Sequence, residues 1–154
     1  MTLGGIMCAV IPYFKIEELV PEDLFNYFEH SQHILWGLLD YKALQTLVSL
    51  REKFGKITVN DWCFGGNLQY RGFRPGNCNI GADFSQHKLG NAFDCSFEDY
   101  TAEEVREYVL NHPEEFPHIT SIEMGVSWFH FDCRFVPDWL GVIQQFWPRG
   151  KNNA

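Results

Sequence analysis

Two short runs restrict the fold more than anything else in this chain of 154 residues: Ser85-Gln86-His87-Lys88-Leu89-Gly90-Asn91-Ala92-Phe93-Asp94 and Trp128-Phe129-His130-Phe131-Asp132. From Ser127 to Phe135 the residues alternate as a strand does, with Trp128, His130 and Asp132 on one face and Phe129, Phe131 and Cys133 on the other. Such a strand must lay its phenylalanines on a core and leave the histidine on a polar face. In the first run Gly90 permits a turn that returns His87 toward Asp94. On a strand Ala92 and Asp94 share a face, so the small side chain leaves room beside the carboxylate. Two imidazoles and one carboxylate are the donor set of a catalytic zinc, which takes three protein ligands and keeps its fourth position for water. His87, Asp94 and His130 are therefore the candidate metal ligands.

The joint pattern SxHxxGxAxD followed by a strand reading WxHxD resembles the zinc metallopeptidases that include D-Ala-D-Ala carboxypeptidases, the L-alanyl-D-glutamate endopeptidases of phage lysins, and the hedgehog signalling domain. The resemblance runs from about Leu38 to Arg134 and is carried by the two motifs and an Arg-bearing segment between Gln69 and Pro75. It implies zinc on His87, Asp94 and His130, and an α+β fold of the hedgehog/DD-peptidase kind, with a small antiparallel sheet carrying the site and helices flanking it. Ser85 matches the motif serine, in a supporting or substrate-binding role. The family also uses an upstream arginine to polarise the scissile carbonyl and hold substrate. Tyr70-Arg71-Gly72-Phe73-Arg74 offers two candidates, of which Arg74 is favoured because Gly72-Phe73-Arg74 looks like the family's small-aromatic-Arg pattern.

The resemblance further implies a general base shortly before the last histidine. Many members carry a Glu or Asp three residues before it, where this chain has Ser127, which cannot serve as a base at neutral pH. The nearest carboxylate upstream is Glu123, seven residues before His130 in a segment, Ile119 to Glu123, that alternates like a strand. At a strand end beside the ligand strand it would reach the water, with a pKa raised by desolvation. Asp132 either accepts the second N–H of an imidazole, as outer-shell carboxylates around zinc do, or pairs with an arginine. Trp128 forms a substrate wall or simply joins the core.

The implied activity is hydrolysis of an amide bond in peptidoglycan stem peptides by a zinc-activated water, in a phage or prophage endolysin or a virion-associated hydrolase. The rival is a non-catalytic, zinc-stabilised binding or virion structural module, which Ser127 favours. A net charge of -8 and the absence of a Lys/Arg cluster argue against nucleic acid. Leu3 to Ile11 is apolar but has no Lys or Arg ahead of it, so neither a signal peptide nor a membrane span is expected, and synthesis is expected to leave a monomer in the cytosol. Five cysteines, Cys8, Cys63, Cys78, Cys95 and Cys133, form no CxxC pair and read as free thiols, with Cys95 and Cys133 facing away from the metal.

The chain reads as a single domain with no repeat or linker. Helices are expected from Glu22 or Asp23 after Pro21, from about Leu38 to Phe54 with an αL cap at Gly55, and from the capping box Thr101 to Glu104 as far as His112. Strands are expected over Lys56 to Asn60, Ile119 to Met124 and Ser127 to Phe135, the last two joined as a hairpin near Gly125. Asp138 to Trp147 reads as a last amphipathic helix whose Trp139, Phe146 and Trp147 pack back onto the sheet, before a polar, frayed end at Lys151 to Ala154. His30, His33, His112 and His118 stand outside the motifs.

Overall fold

The helices start where side chains can satisfy the first free N–H groups. Asp40 caps the longest, its carboxylate accepting from the N–H groups of Lys42 and Ala43 at 2.9 and 3.1 Å, and this moves the helix start past Leu38 to Tyr41. The computed structural model describes residues 11–148; most of the apolar N-terminal run, Cys8 and the polar C-terminal end lie outside them. Three α-helices precede the sheet: α1 (Glu22–Tyr27), the single turn α2 (His33–Trp36) and α3 (Tyr41–Phe54). Ala43, Leu44, Leu47, Leu50 and Phe54 form the buried stripe of α3. Gly55 ends it at φ 80 and ψ -149, a glycine conformation, but not the left-handed helical cap expected. Helix α4 (Ala102–Asn111) opens on the expected capping box, with Thr101 Oγ1 accepting the Glu104 N–H at 3.2 Å and the Glu104 carboxylate accepting the Thr101 N–H at 2.7 Å.

Five strands, β1 (Ile57–Thr58), β2 (Ala92–Phe97), β3 (Ser121–Glu123), β4 (Phe129–Asp132) and β5 (Gln144–Phe146), form one sheet in the order β1-β2-β4-β3-β5. The fold is thus α+β. Three neighbour pairs are antiparallel as expected, whereas β3 and β5 run parallel. One face of the sheet is apolar: Phe93, Cys95, Ile122, Phe129 and Phe131 join Leu44, Leu47 and Leu50 of α3 and Val105 and Val109 of α4 in one buried cluster. The opposite face carries Asp94, His130 and Asp132. Among the described residues the four cysteines are free, and burial pushes the thiols of Cys95 and Cys133 up, Cys133 to about 12.

The expected last helix does not form. Asp138–Leu140 makes a 3-10 turn that ends at Gly141 with φ 60, and the chain then becomes β5. β-Branched Val142 and Ile143 disfavour a helix, while the free edge of β3 offers backbone partners: Gln144 N–H donates to the Thr120 carbonyl at 2.9 Å, and Met124 N–H to that of Phe146 at 2.7 Å. Trp139 and Trp147 remain 82% and 63% exposed, so neither packs back onto the sheet; Phe146 does.

The hairpin between β3 and β4 is held by a residue that the sequence pattern did not single out. Arg106 of α4 is 1% exposed and donates to the carbonyls of Glu123 (2.9 Å), Val126 and Trp128 (both 2.5 Å), with Glu103 as its ionic partner at 2.7 Å. A buried cation that serves three carbonyls leaves all three unpaired when removed. Arg106→Met is therefore expected to lower unfolding stability in urea by at least about 3 kcal/mol, against less than about 1 kcal/mol for the exposed-side change Glu103→Gln.

Candidate metal centre

The antiparallel register of β2 and β4 sets Asp94 opposite His130 and Ala92 opposite Asp132, so both ligand candidates rise from one face. Asp94 Oδ1 lies 2.7 Å from His130 Nδ1. His87 comes from the adjoining 3-10 turn Gln86–Leu89, which Gly90 closes at φ 73. A Cβ on Gly90 would sit 1.9 Å from the Leu38 carbonyl oxygen, so the turn packs there only with glycine. The His87 Nδ1–H donates to the Gly72 carbonyl at 2.8 Å, which leaves Nε2 as a lone pair 3.3 Å from both Asp94 Oδ1 and His130 Nδ1. Gly72 is itself pressed onto Leu19, where an added Cβ would stand 2.1 Å from the carbonyl oxygen.

His87, Asp94 and His130 are all buried, and one ligand atom from each lies within 4.8 Å of the others, a group that can hold a metal ion. The donors suit zinc: a tetrahedral ion with bonds of about 2.0–2.1 Å sets its ligand atoms about 3.3 Å apart. Two of the three separations are 3.3 Å, and the shorter third is a hydrogen bond that an ion would replace.

Asp132 does both things considered for it. It is fully buried, its Oδ2 faces His130 Nε2 at 3.1 Å, and Arg134 donates Nε to Oδ1 at 2.7 Å and Nη2 to Oδ2 at 2.5 Å. Arg74 is spent on the ligand set: Nη2 donates to Asp94 Oδ2 at 3.2 Å and Nε to the Tyr70 carbonyl at 2.6 Å. Arg71 has only the Ser96 hydroxyl on its guanidinium, at 3.0 Å, and no carboxylate partner among the described residues. Gln69, Tyr70, Arg71, Arg74, Ser127 and Trp128 line a cleft of about 490 Å³ that opens onto Asp94. A groove of about 500 Å³ around Phe116, Pro117 and Val136 contains none of these residues.

Glu123 ends β3. The pairing of Ser121 with Asp132 and of Ile122 with Phe131 carries it to the flank of His130 opposite Asp94. Burial raises its carboxyl above the ordinary value, with Asp94 adding to the rise and His130, Trp128 and Arg74 opposing it. The buried Trp128 indole N–H makes no well-formed hydrogen bond among the described residues, yet lies near enough to Glu123 to favour its charged form. Ser85 opens the ligand turn, with the Lys88 N–H on its carbonyl at 3.0 Å, and its hydroxyl bonds no ligand. Arg134 and the Gly72 carbonyl were not singled out from the sequence, and Phe146, whose ring stands edge-on to His130 at 5.5 Å, was expected to pack on the sheet but not beside the ligands. Arg134 was within reach of the period-two pattern, since it follows Asp132 on the same face of an extended chain.

The three candidate ligands carry different charges. Burial holds His87 below its ordinary value, hence neutral, while Asp94, despite its own burial, stays ionised far below the carboxylate range beside the His130 imidazolium that donates to it. Burial also opposes charge on His130, but the carboxylates of Asp132 and Asp94 outweigh it and push the imidazole up to about 9. A metal must displace that Nδ1 proton. Apparent zinc affinity, measured by chelator competition, is therefore expected to rise about tenfold per pH unit from neutrality and to level near 9. The metal-free protein should behave oppositely in stability, because a raised imidazole pKa stabilises the fold below the unfolded value of about 6.5 and loses that contribution as pH rises through the folded value. Thermal unfolding at pH 6 and pH 9.5, with and without zinc, checks the sign.

Gly72→Ala should drive the His87 acceptor away from Leu19, with a stability loss of about 1–3 kcal/mol and weaker zinc binding in the same titration. Compared with known proteins, the chain matches no family model, no curated protein and no solved structure.

Proposed function

We propose that the protein is a zinc-dependent peptidase that hydrolyses an amide bond in peptidoglycan stem peptides, of the D-Ala-D-Ala carboxypeptidase or L-Ala-D-Glu endopeptidase type. The fold assigned to it is of the hedgehog/DD-peptidase kind, and the setting a phage or prophage lysis enzyme or a virion-associated hydrolase. One observation carries the reading: a buried two-histidine, one-carboxylate group has a further carboxylate, Glu123, beside His130 and a cleft in front of it whose Arg71 guanidinium has no carboxylate partner among the described residues. The motif resemblance supplies the substrate class. No helix among the described residues is long and apolar enough to cross a membrane.

A zinc held by His87 Nε2, Asp94 Oδ1 and His130 Nδ1 would supply Lewis acidity toward the scissile carbonyl and lower the pKa of water. The chain's own residues do the rest. Glu123, with its carboxyl raised by burial, takes the proton of the attacking water and returns it to the leaving amine, the task for which a carboxyl pKa nearer neutrality is useful. Arg71 is preferred to Arg74 as the group that meets substrate or the developing oxyanion, because Arg74 is already bonded to Asp94 and Tyr70. Trp128 walls the cleft, and Asp132 fixes the His130 ring. Ser85 keeps only its place as the start of the ligand turn.

Ser127 lines the same cleft at the position where the resembling family has its base, and this favours the second reading, a zinc-stabilised binding module. Release of new amino groups from purified peptidoglycan by the zinc-loaded protein separates the two. Glu123→Ala should lower turnover at least about 100-fold while retaining zinc, and His130→Ala should lose both. A wild type that holds one zinc and releases nothing sinks the hydrolase and leaves the binding module.

A further inference from the structure

We infer that Arg134 is a positioning residue of the metal centre: through Asp132 it fixes the His130 ring so that Nδ1 is the nitrogen left for the ion. The inference rests on the metal-centre reading above. A carboxylate hydrogen-bonded to a ligating imidazole sets the tautomer only if the carboxylate is itself held, and Asp132 is held by Arg134. Oδ1 accepts the Arg134 Nε–H at 2.7 Å and the Arg134 backbone N–H at 3.3 Å, while Oδ2 is shared between Arg134 Nη2 at 2.5 Å and His130 Nε2 at 3.1 Å. The planar fork therefore defines the carboxylate plane, which a single ammonium cannot do.

Arg134 is anchored in turn. Its backbone carbonyl accepts the Thr120 hydroxyl at 2.6 Å, and its guanidinium lies 5.2 Å from the centre of the Phe146 ring. That ring stands edge-on to His130 at 83° and is placed by the pairing of Phe146 with Glu123. One aromatic side chain thus touches both ends of the relay. The strand itself does not need the arginine side chain: Thr120 N–H reaches the Asp132 carbonyl and Cys133 N–H the Asn91 carbonyl, each at 3.0 Å. With the Arg134 side chain 37% exposed, the relay also links the buried His130 to the protein surface.

The test uses the full chain with Arg134→Gln, Arg134→Lys and Phe146→Leu. Zinc affinity is measured by chelator competition at one pH, and solvent exchange of the His130 Nε2 proton by NMR on the zinc-loaded protein. Arg134→Gln should weaken zinc about 10–100-fold and speed that exchange, with Arg134→Lys between it and the wild type. Phe146→Leu should shift both readouts the same way by less, and Arg134→Lys, which keeps the charge but not the planar fork, carries the test if Arg134→Gln does not fold. A lower thermal midpoint with zinc affinity and proton exchange unchanged makes Arg134 a stability residue only and overturns the inference. A wild type that takes up no zinc is a different result and overturns the metal reading together with the relay.

Discussion

Asp94 opposite His130 across two antiparallel strands is the pairing on which the rest of the molecule depends. Side chains alternate along a strand, so a slip of one residue would turn Phe129 or Phe131 toward the ligand face and drive His130 into the core. The apolar face prevents this. Phe93 pairs with Phe131 and Cys95 with Phe129, all fully buried beneath α3 and α4, and a one-residue slip would expose aromatic rings. The packing of one face thereby sets the chemistry of the other.

That other face gathers more charge than the composition indicates. Asp94, Asp132 and Glu123 stand around two imidazoles, and Arg74, Arg134 and Arg71 answer them from the Asp94 side, the Asp132 side and the cleft. In a chain whose formal net charge is -8, the charged residues lining the cleft are two guanidinium groups, Arg71 and Arg74, and one carboxylate, Asp94. An anionic group entering the cleft would meet the Arg71 guanidinium, so the overall acidity does not describe what the cleft presents.

How far the sequence could be read follows from how local each signal is. His87, Asp94 and His130 were legible because motif spacing and strand alternation are near-neighbour patterns, and the capping box at Thr101 and the hairpin at Gly125 were legible for the same reason. Glu123 was singled out as the nearest upstream carboxylate, and its place beside His130 needed the β3–β4 register. The two arginines could not be separated without distances. The last strand was misread as a helix because amphipathic spacing at 138–147 does not reveal that β3 has a free edge, and the relation of Phe146 to His130 was hidden with it. Arg106 gave no signal, since a long cation on an acidic helix resembles a solvated residue until its hydrogen bonds are seen.

The grip of Arg106 on the hairpin is confined to main-chain oxygens, those of Glu123, Val126 and Trp128. Such a grip is blind to side-chain identity. Apart from Gly125, whose φ of 71 favours glycine, the turn can exchange its residues without the scaffold registering the change. A carboxylate lost from one place on the hairpin can then be regained at another, with the strands, the ligands and the helix behind them unaltered. This support asks nothing of the side chains of Glu123 and Ser127, which leaves both positions open to the demands of the cleft.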